Sequence, residues 1–163
     1  MKTFAIVGAA LLLALAALAP MPSLASDQSD PCAQAASDLA DAQNPTTKIP
    51  GLPTEVYHAG KYSAAGDDFE ACATVTRGND SAVCESFLSA GDAYSESARL
   101  GRNVTGGVFG GETSAFTHYL RAYEDYTHAF LLCQDGAIHE AAQAGQRAAA
   151  ETLNHFDFSK LHF

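Results

Sequence analysis

The residues best suited to chemistry are the carboxylates Asp67-Asp68, Asp80, Glu85 and Glu124-Asp125. Paired carboxylates can divide acid and base roles when their surroundings push their pKa values apart. In an acidic helical chain such carboxylates are ordinarily solvated surface. His139-Glu140-Ala141-Ala142-Gln143 is one residue short of the zinc-protease helix motif. That motif places histidines at i and i+4 so that both rings reach one metal from one helix face. Gln143 takes the second place and removes the ligand. His58, His118, His128, His139, His155 and His162 include no i, i+4 pair, and no Cys-x-x-Cys-His is present to attach haem. No Gly-x-Ser-x-Gly elbow presents a nucleophile. The expectation is a protein with no catalytic, cofactor-binding or metal-binding residues.

The run Gly106-Gly107-Val108-Phe109-Gly110-Gly111-Glu112-Thr113 has the glycines of a phosphate loop but Glu112 in place of the lysine. A carboxylate there repels the phosphates the lysine would hold. The run is expected to be a linker with Thr113 capping the next helix, and its Val108 and Phe109 are candidate partner contacts. Tyr119, Tyr123 and Tyr126, with Phe116 and Phe130, make one helix rich in aromatics. Most of these rings are expected in the core, with Tyr119 and Tyr123 as candidates for a partner-binding groove. Asp67 and Asp68 are candidate contacts for a basic partner.

The compartment decides how the cysteines are read. Lys2, then the apolar run Phe4 to Ala19, then Pro20, Pro22 and Ser23-Leu24-Ala25 have the layout of a secretory signal peptide cleaved after Ala25. The run is shorter than the roughly 20 residues a spanning helix needs. Domain organisation is therefore expected as a leader over 1–25 and one all-α domain over 26–163. Cleavage removes Met1 and Met21, so no thioether ligand remains for haem, and bis-histidine ligation is the haem arrangement left open. It also removes Lys2, leaving 8 basic residues against 19 acidic ones. Such a surface repels nucleic acid and anionic lipid and suits a basic protein partner.

Cys32, Cys72, Cys84 and Cys133 are an even set in an exported chain and are expected to form two disulfides. Cys72 and Cys84 are equidistant from Gly78, in the expected hairpin turn, Thr76 to Asp80. That spacing favours Cys72–Cys84, leaving Cys32–Cys133.

The positioning elements are helices. Cys32 to Gln43 forms the first, after Pro31. Asn44 to Pro53 carries three prolines and a glycine and reads as a loop. Thr54 to Thr76 reads as two helices, about 54–65 and 67–76, broken at Gly66, the alternative being one continuous helix that tolerates the glycine. Cys84, Phe87, Leu88, Gly91, Tyr94 and Ala98 recur at three- and four-residue steps and predict a helix over 82–100, capped by Asp80 or Ser81. Helices over 113–133 and 137–155 follow. The fold class is all-α, five or six helices in antiparallel hairpins, a disulfide-stapled bundle or short repeat array.

AGKYSAAGDDFEACATV resembles a tetratricopeptide repeat, with Ala59 at the small position, Tyr62 three further on, Gly66-Asp67 at the turn and Ala71 after it. The segment around Gly136 resembles it more weakly, and the middle unit departs, since Gly106-Gly107 falls where a second helix belongs. The resemblance covers about a third of the chain and implies helical-hairpin repeats. The expected function is that of an exported helical binding protein, such as an adaptor, inhibitor or immunity-type protein. The alternative is a helical bundle holding a small molecule, haem or metal, with an enzymatic role open to it.

Overall fold

The computed structural model describes residues 30–44, 46, 49–104, 110–134 and 136–161. The leader with its cleavage site, and Val108 and Phe109, lie outside the described residues. Among the described residues, five α-helices run in order: α1 Pro31–Gln43, α2 Thr54–Val75, α3 Asp80–Gly101, α4 Glu112–Leu132 and α5 Gly136–Asn154. A 3-10 turn, Phe158–Lys160, follows, and no strand occurs among the described residues.

Local chemistry sets the helix starts. Asp30 caps α1 by accepting from the Cys32 N–H at 3.0 Å, and Pro31 occupies the first turn, where a missing N–H costs nothing. Asn79 caps α3, one residue ahead of the expected Asp80 or Ser81. Gly111, at φ 92°, precedes α4 in place of a Thr113 cap.

Each helix packs antiparallel on the next, α1 on α2, α2 on α3, α3 on α4 and α4 on α5. The contacts advance in opposite directions along each pair. Between α2 and α3, Ser97 meets Ala59, Tyr94 meets Gly66, and Ser86 meets Cys72. The core is built largely of alanine, with Tyr94, Tyr126 and Phe156 among its large side chains.

Gly66 does not break α2, so the expected pair of helices, 54–65 and 67–76, is one continuous helix with no turn at Gly66-Asp67. The glycine answers to packing: a Cβ there would lie 2.7 Å from the Tyr94 ring. Tyr126 is seated likewise, between Gly91 and Gly145, where added Cβ atoms would lie 2.8 and 2.5 Å from its ring. Close approach of a ring to the backbone repays the roughly 1 kcal/mol that a mid-helix glycine costs.

The disulfides are Cys32–Cys72 and Cys84–Cys133, which corrects the expected Cys72–Cys84 and Cys32–Cys133 pairing. Equal distance from a turn sets height along a hairpin but not the direction in which a side chain points. On α2, His58, Lys61, Asp68 and Cys72 recur on the stripe turned to α1. On α3, Cys84 and Phe87 lie on the stripe turned to α4. Both bridges consequently sit at one end of the bundle, where α1 and α3 begin and α2 and α4 finish. The Ser86 hydroxyl also approaches the Cys72 sulfur, at 3.3 Å.

Candidate functional site

A polar seam crosses the middle of the bundle. The Tyr94 hydroxyl donates to Asp67 at 2.7 Å, and the Arg121 guanidinium lies 4.3 Å over the Tyr94 ring. Arg121 also donates to Asp67 at 2.7 Å and to Glu70 at 2.9 Å, so α2 and α4 are tied together across α3. Behind Tyr94, the His118 ring sits between two hydroxyls, with Nδ1 3.0 Å from Ser97 and Nε2 3.4 Å from Ser63. The hydrogen positions follow from donor counting. Ser97 spends its one proton on the Ala59 carbonyl at 2.7 Å, so His118 Nδ1–H donates to Ser97 and Nε2 accepts from Ser63. Burial, and then the nearby Arg121 charge, hold His118 below the usual histidine range, which fits this neutral tautomer.

Asp125 lies one turn beyond Arg121 on α4 and is only 3% exposed. Its Oδ2 has no hydrogen-bond partner. Burial, reinforced by the Glu70 charge, pushes its pKa up to about 8, so at neutral pH it is a protonated acid. Tyr126 donates to Asp92 at 2.7 Å, and burial raises Asp92 as well. Neither His118 nor Asp125 lines the surface grooves described below. Their perturbed protonation therefore belongs to an enclosed seam. Among the described residues, no three His, Cys, Asp or Glu side chains are placed to share a metal ion.

The outer surface offers grooves at both ends. At the end away from the disulfides, two depressions of 330 and 480 Å³ share Glu55 and Leu100, with Tyr62 and Arg99 among their walls. At the stapled end, a cleft of 430 Å³ is lined by Phe130, Leu131, His139 and Glu140, and one of 270 Å³ by Asp80, Cys84, Leu132 and Ile138. Cys133 and Gln134 border both. Leu131 and Leu132 are 68% and 51% exposed, an unusual place for adjacent leucines. Beneath them the backbone is pinned by the Cys84–Cys133 bridge, by the His139 ring against the Cys133 carbonyl at 3.2 Å, and by Phe130 against His139 at 4.2 Å.

The expected contact residues are dispersed by the fold. Asp67 is engaged by Tyr94 and Arg121. Asp68 turns to the opposite side, where burial and then the Asp38 charge raise its pKa. Burial pushes Asp38 upward, but the Lys61 ammonium at 2.8 Å and hydrogen bonds to Gln34 and Asp68 together outweigh it and leave Asp38 below its usual range. Tyr119 packs edge-on to Phe156, and Tyr123 packs beside the Tyr94–Tyr126 core; both are half-buried. The leucine pair was missed because the helix-wide apolar arc of α4 reads as core throughout. Its position in the last turn before Cys133 was the available signal. No family model, curated protein or solved structure matches this chain.

Proposed function

We propose that this protein is an exported helical interaction module that docks a basic protein. The observation carrying this reading is the distribution of its charges. Of the seven Lys and Arg side chains in the described residues, Lys61, Arg99, Arg102, Arg121 and Lys160 are paired with carboxylates of the same chain. Glu55, Asp80, Glu85, Glu124, Glu140 and Glu151 are exposed and enter no such pair among the described residues. The potential seen by an approaching molecule is therefore negative, which speeds encounter with a cationic surface and repels an anionic one. Two disulfides, and described helices of which none is long and apolar enough to cross a membrane, support export in free form.

The test is capture by the immobilised, oxidised protein from the exported fraction of its source cells. A retained basic protein should elute in about 0.5 M salt, where charges are screened beyond roughly 4 Å. It should also be lost on the triple change Asp80→Asn, Glu85→Gln, Glu140→Gln. Retention indifferent to both would overturn the reading. Export is checked by the N-terminus of the mature protein: Ser26 is expected, and an intact Met1 overturns it.

A further inference from the structure

We infer that the docking surface is the leucine ridge at the stapled end, and that its occupant is a partner segment with adjacent apolar side chains flanked by lysine or arginine. The inference deepens the interaction reading and rests on it. Leu131 and Leu132 lean over different clefts on either side of Cys133, so they form a ridge between two hollows. Among the described residues, each hollow is lined by one exposed carboxylate that pairs with no described cation, Glu140 in the first and Asp80 in the second. The arrangement is an apolar crest with a negative charge on each side. Its complement is an apolar contact with a positive charge on each side. Arg77, on the nearby α2–α3 turn, lines neither cleft.

Rigidity favours this end. A surface already fixed by a disulfide and a ring stack loses little freedom when a partner docks. At the other end, the 480 Å³ depression is lined by Arg99 beside Glu55, and the 330 Å³ one by Glu96, whose charge Arg99 already meets. A second copy of this chain is a poorer occupant, since a two-fold contact over the ridge would bring the Asp80 and Glu140 carboxylates of both copies together.

The experiment uses the oxidised full-length protein and two fluorescent peptides, one with a Leu-Leu pair flanked by lysines and one with the same pair flanked by glutamates. The lysine peptide should bind and the glutamate peptide should not. Amide shifts should cluster at 80–84, 130–134 and 136–140. Leu131→Ser with Leu132→Ser should weaken binding roughly tenfold or more, as expected for lost burial of two leucines. Asp80→Asn and Glu140→Gln should each weaken it roughly two- to fivefold, as for exposed ion pairs. Glu55→Gln should change nothing. Because all these side chains are exposed, folding is checked directly by circular dichroism of each variant. Equal binding of both peptides, or shifts gathered at Glu55 and Leu100, would overturn this surface while leaving salt-sensitive capture of a basic protein intact. Self-association of the wild type that is abolished by the leucine changes would show a second copy on the ridge and overturn the basic occupant.

Discussion

The two ends of this bundle are closed by different physics. At the stapled end, bridges over sequence separations of 40 and 49 residues join α1 to α2 and α3 to α4. At the other end, closure is non-covalent. His58 bonds the Ala42 carbonyl at 2.7 Å, the Arg102 guanidinium lies 4.5 Å over Phe156, and Phe116 meets Phe156 edge-on at 5.5 Å. A covalent link acts chiefly by restricting the unfolded chain, whereas ring and hydrogen-bond contacts act in the folded state alone. The stapled end can therefore present exposed leucines without loosening, while the open end spends its aromatic residues on holding itself together.

The largest expected effect comes from removing the asymmetry. Replacing either cysteine pair by serine should cost about 4 kcal/mol by the chain-entropy estimate for loops of these lengths. Urea unfolding of the single-pair variants measures it. In the variant lacking Cys84–Cys133, amide exchange should then show the stapled end opening as readily as the other; unchanged protection at 80–84 and 130–134 in that variant would contradict the comparison.

Next is pH. Asp125 is protonated in the fold up to about pH 8 but ionises near 3.8 when unfolded. Its contribution is complete below the unfolded value and is lost as pH rises, by up to about 1.4 kcal/mol per unit across that window. His118 works in the other direction. Its folded pKa lies below 6.5, so its contribution is present above 6.5 and lost as pH falls toward the folded value. Asp125→Asn should therefore be more stable than wild type at pH 8 and show a flatter alkaline limb in thermal melts. With the stapled end held by its disulfides, alkaline loosening of wild type should appear in amide exchange at the open end first.

Smaller effects test the seating of the rings. Gly66→Ala or Gly145→Ala should destabilise by roughly 1–3 kcal/mol through overpacking against Tyr94 or Tyr126. Gly136→Ala, with open space at its Cβ, should be neutral or mildly stabilising. Chemical denaturation of the three variants distinguishes them by sign. The smallest effect belongs to the open end. Arg102→Ala removes a ring contact and a 3.6 Å pair with Glu112, for about 0.5–1 kcal/mol, with faster exchange near 112–116 and no change at the stapled end.

Much of the architecture was legible because its signals are local. Pro31 opens α1, the three- and four-residue recurrence from Cys84 to Ala98 marks α3, and Gly101 and Gly136 stand at helix ends. Gly66 carries the same residue type yet stops nothing, because a glycine's role depends on what lies opposite it. Asp67 and Asp125 were visible as acidic residues of acidic pairs. That Asp67 would be bound by Tyr94 and Arg121, and that Asp125 would be buried beside them, depends on groups far away in the chain.

By itself, the sequence determined an acidic, alanine-rich, all-helical chain whose four cysteines form two bridges, because composition and 3.6-residue periodicity are carried by neighbours. Only the tertiary structure decided which cysteines join, which glycines admit a tyrosine, and that two leucines of an apolar helix stand exposed. Those outcomes depend on helical phase, the angle at which each side chain leaves its helix relative to elements dozens of residues away, and spacing from a turn does not encode that angle.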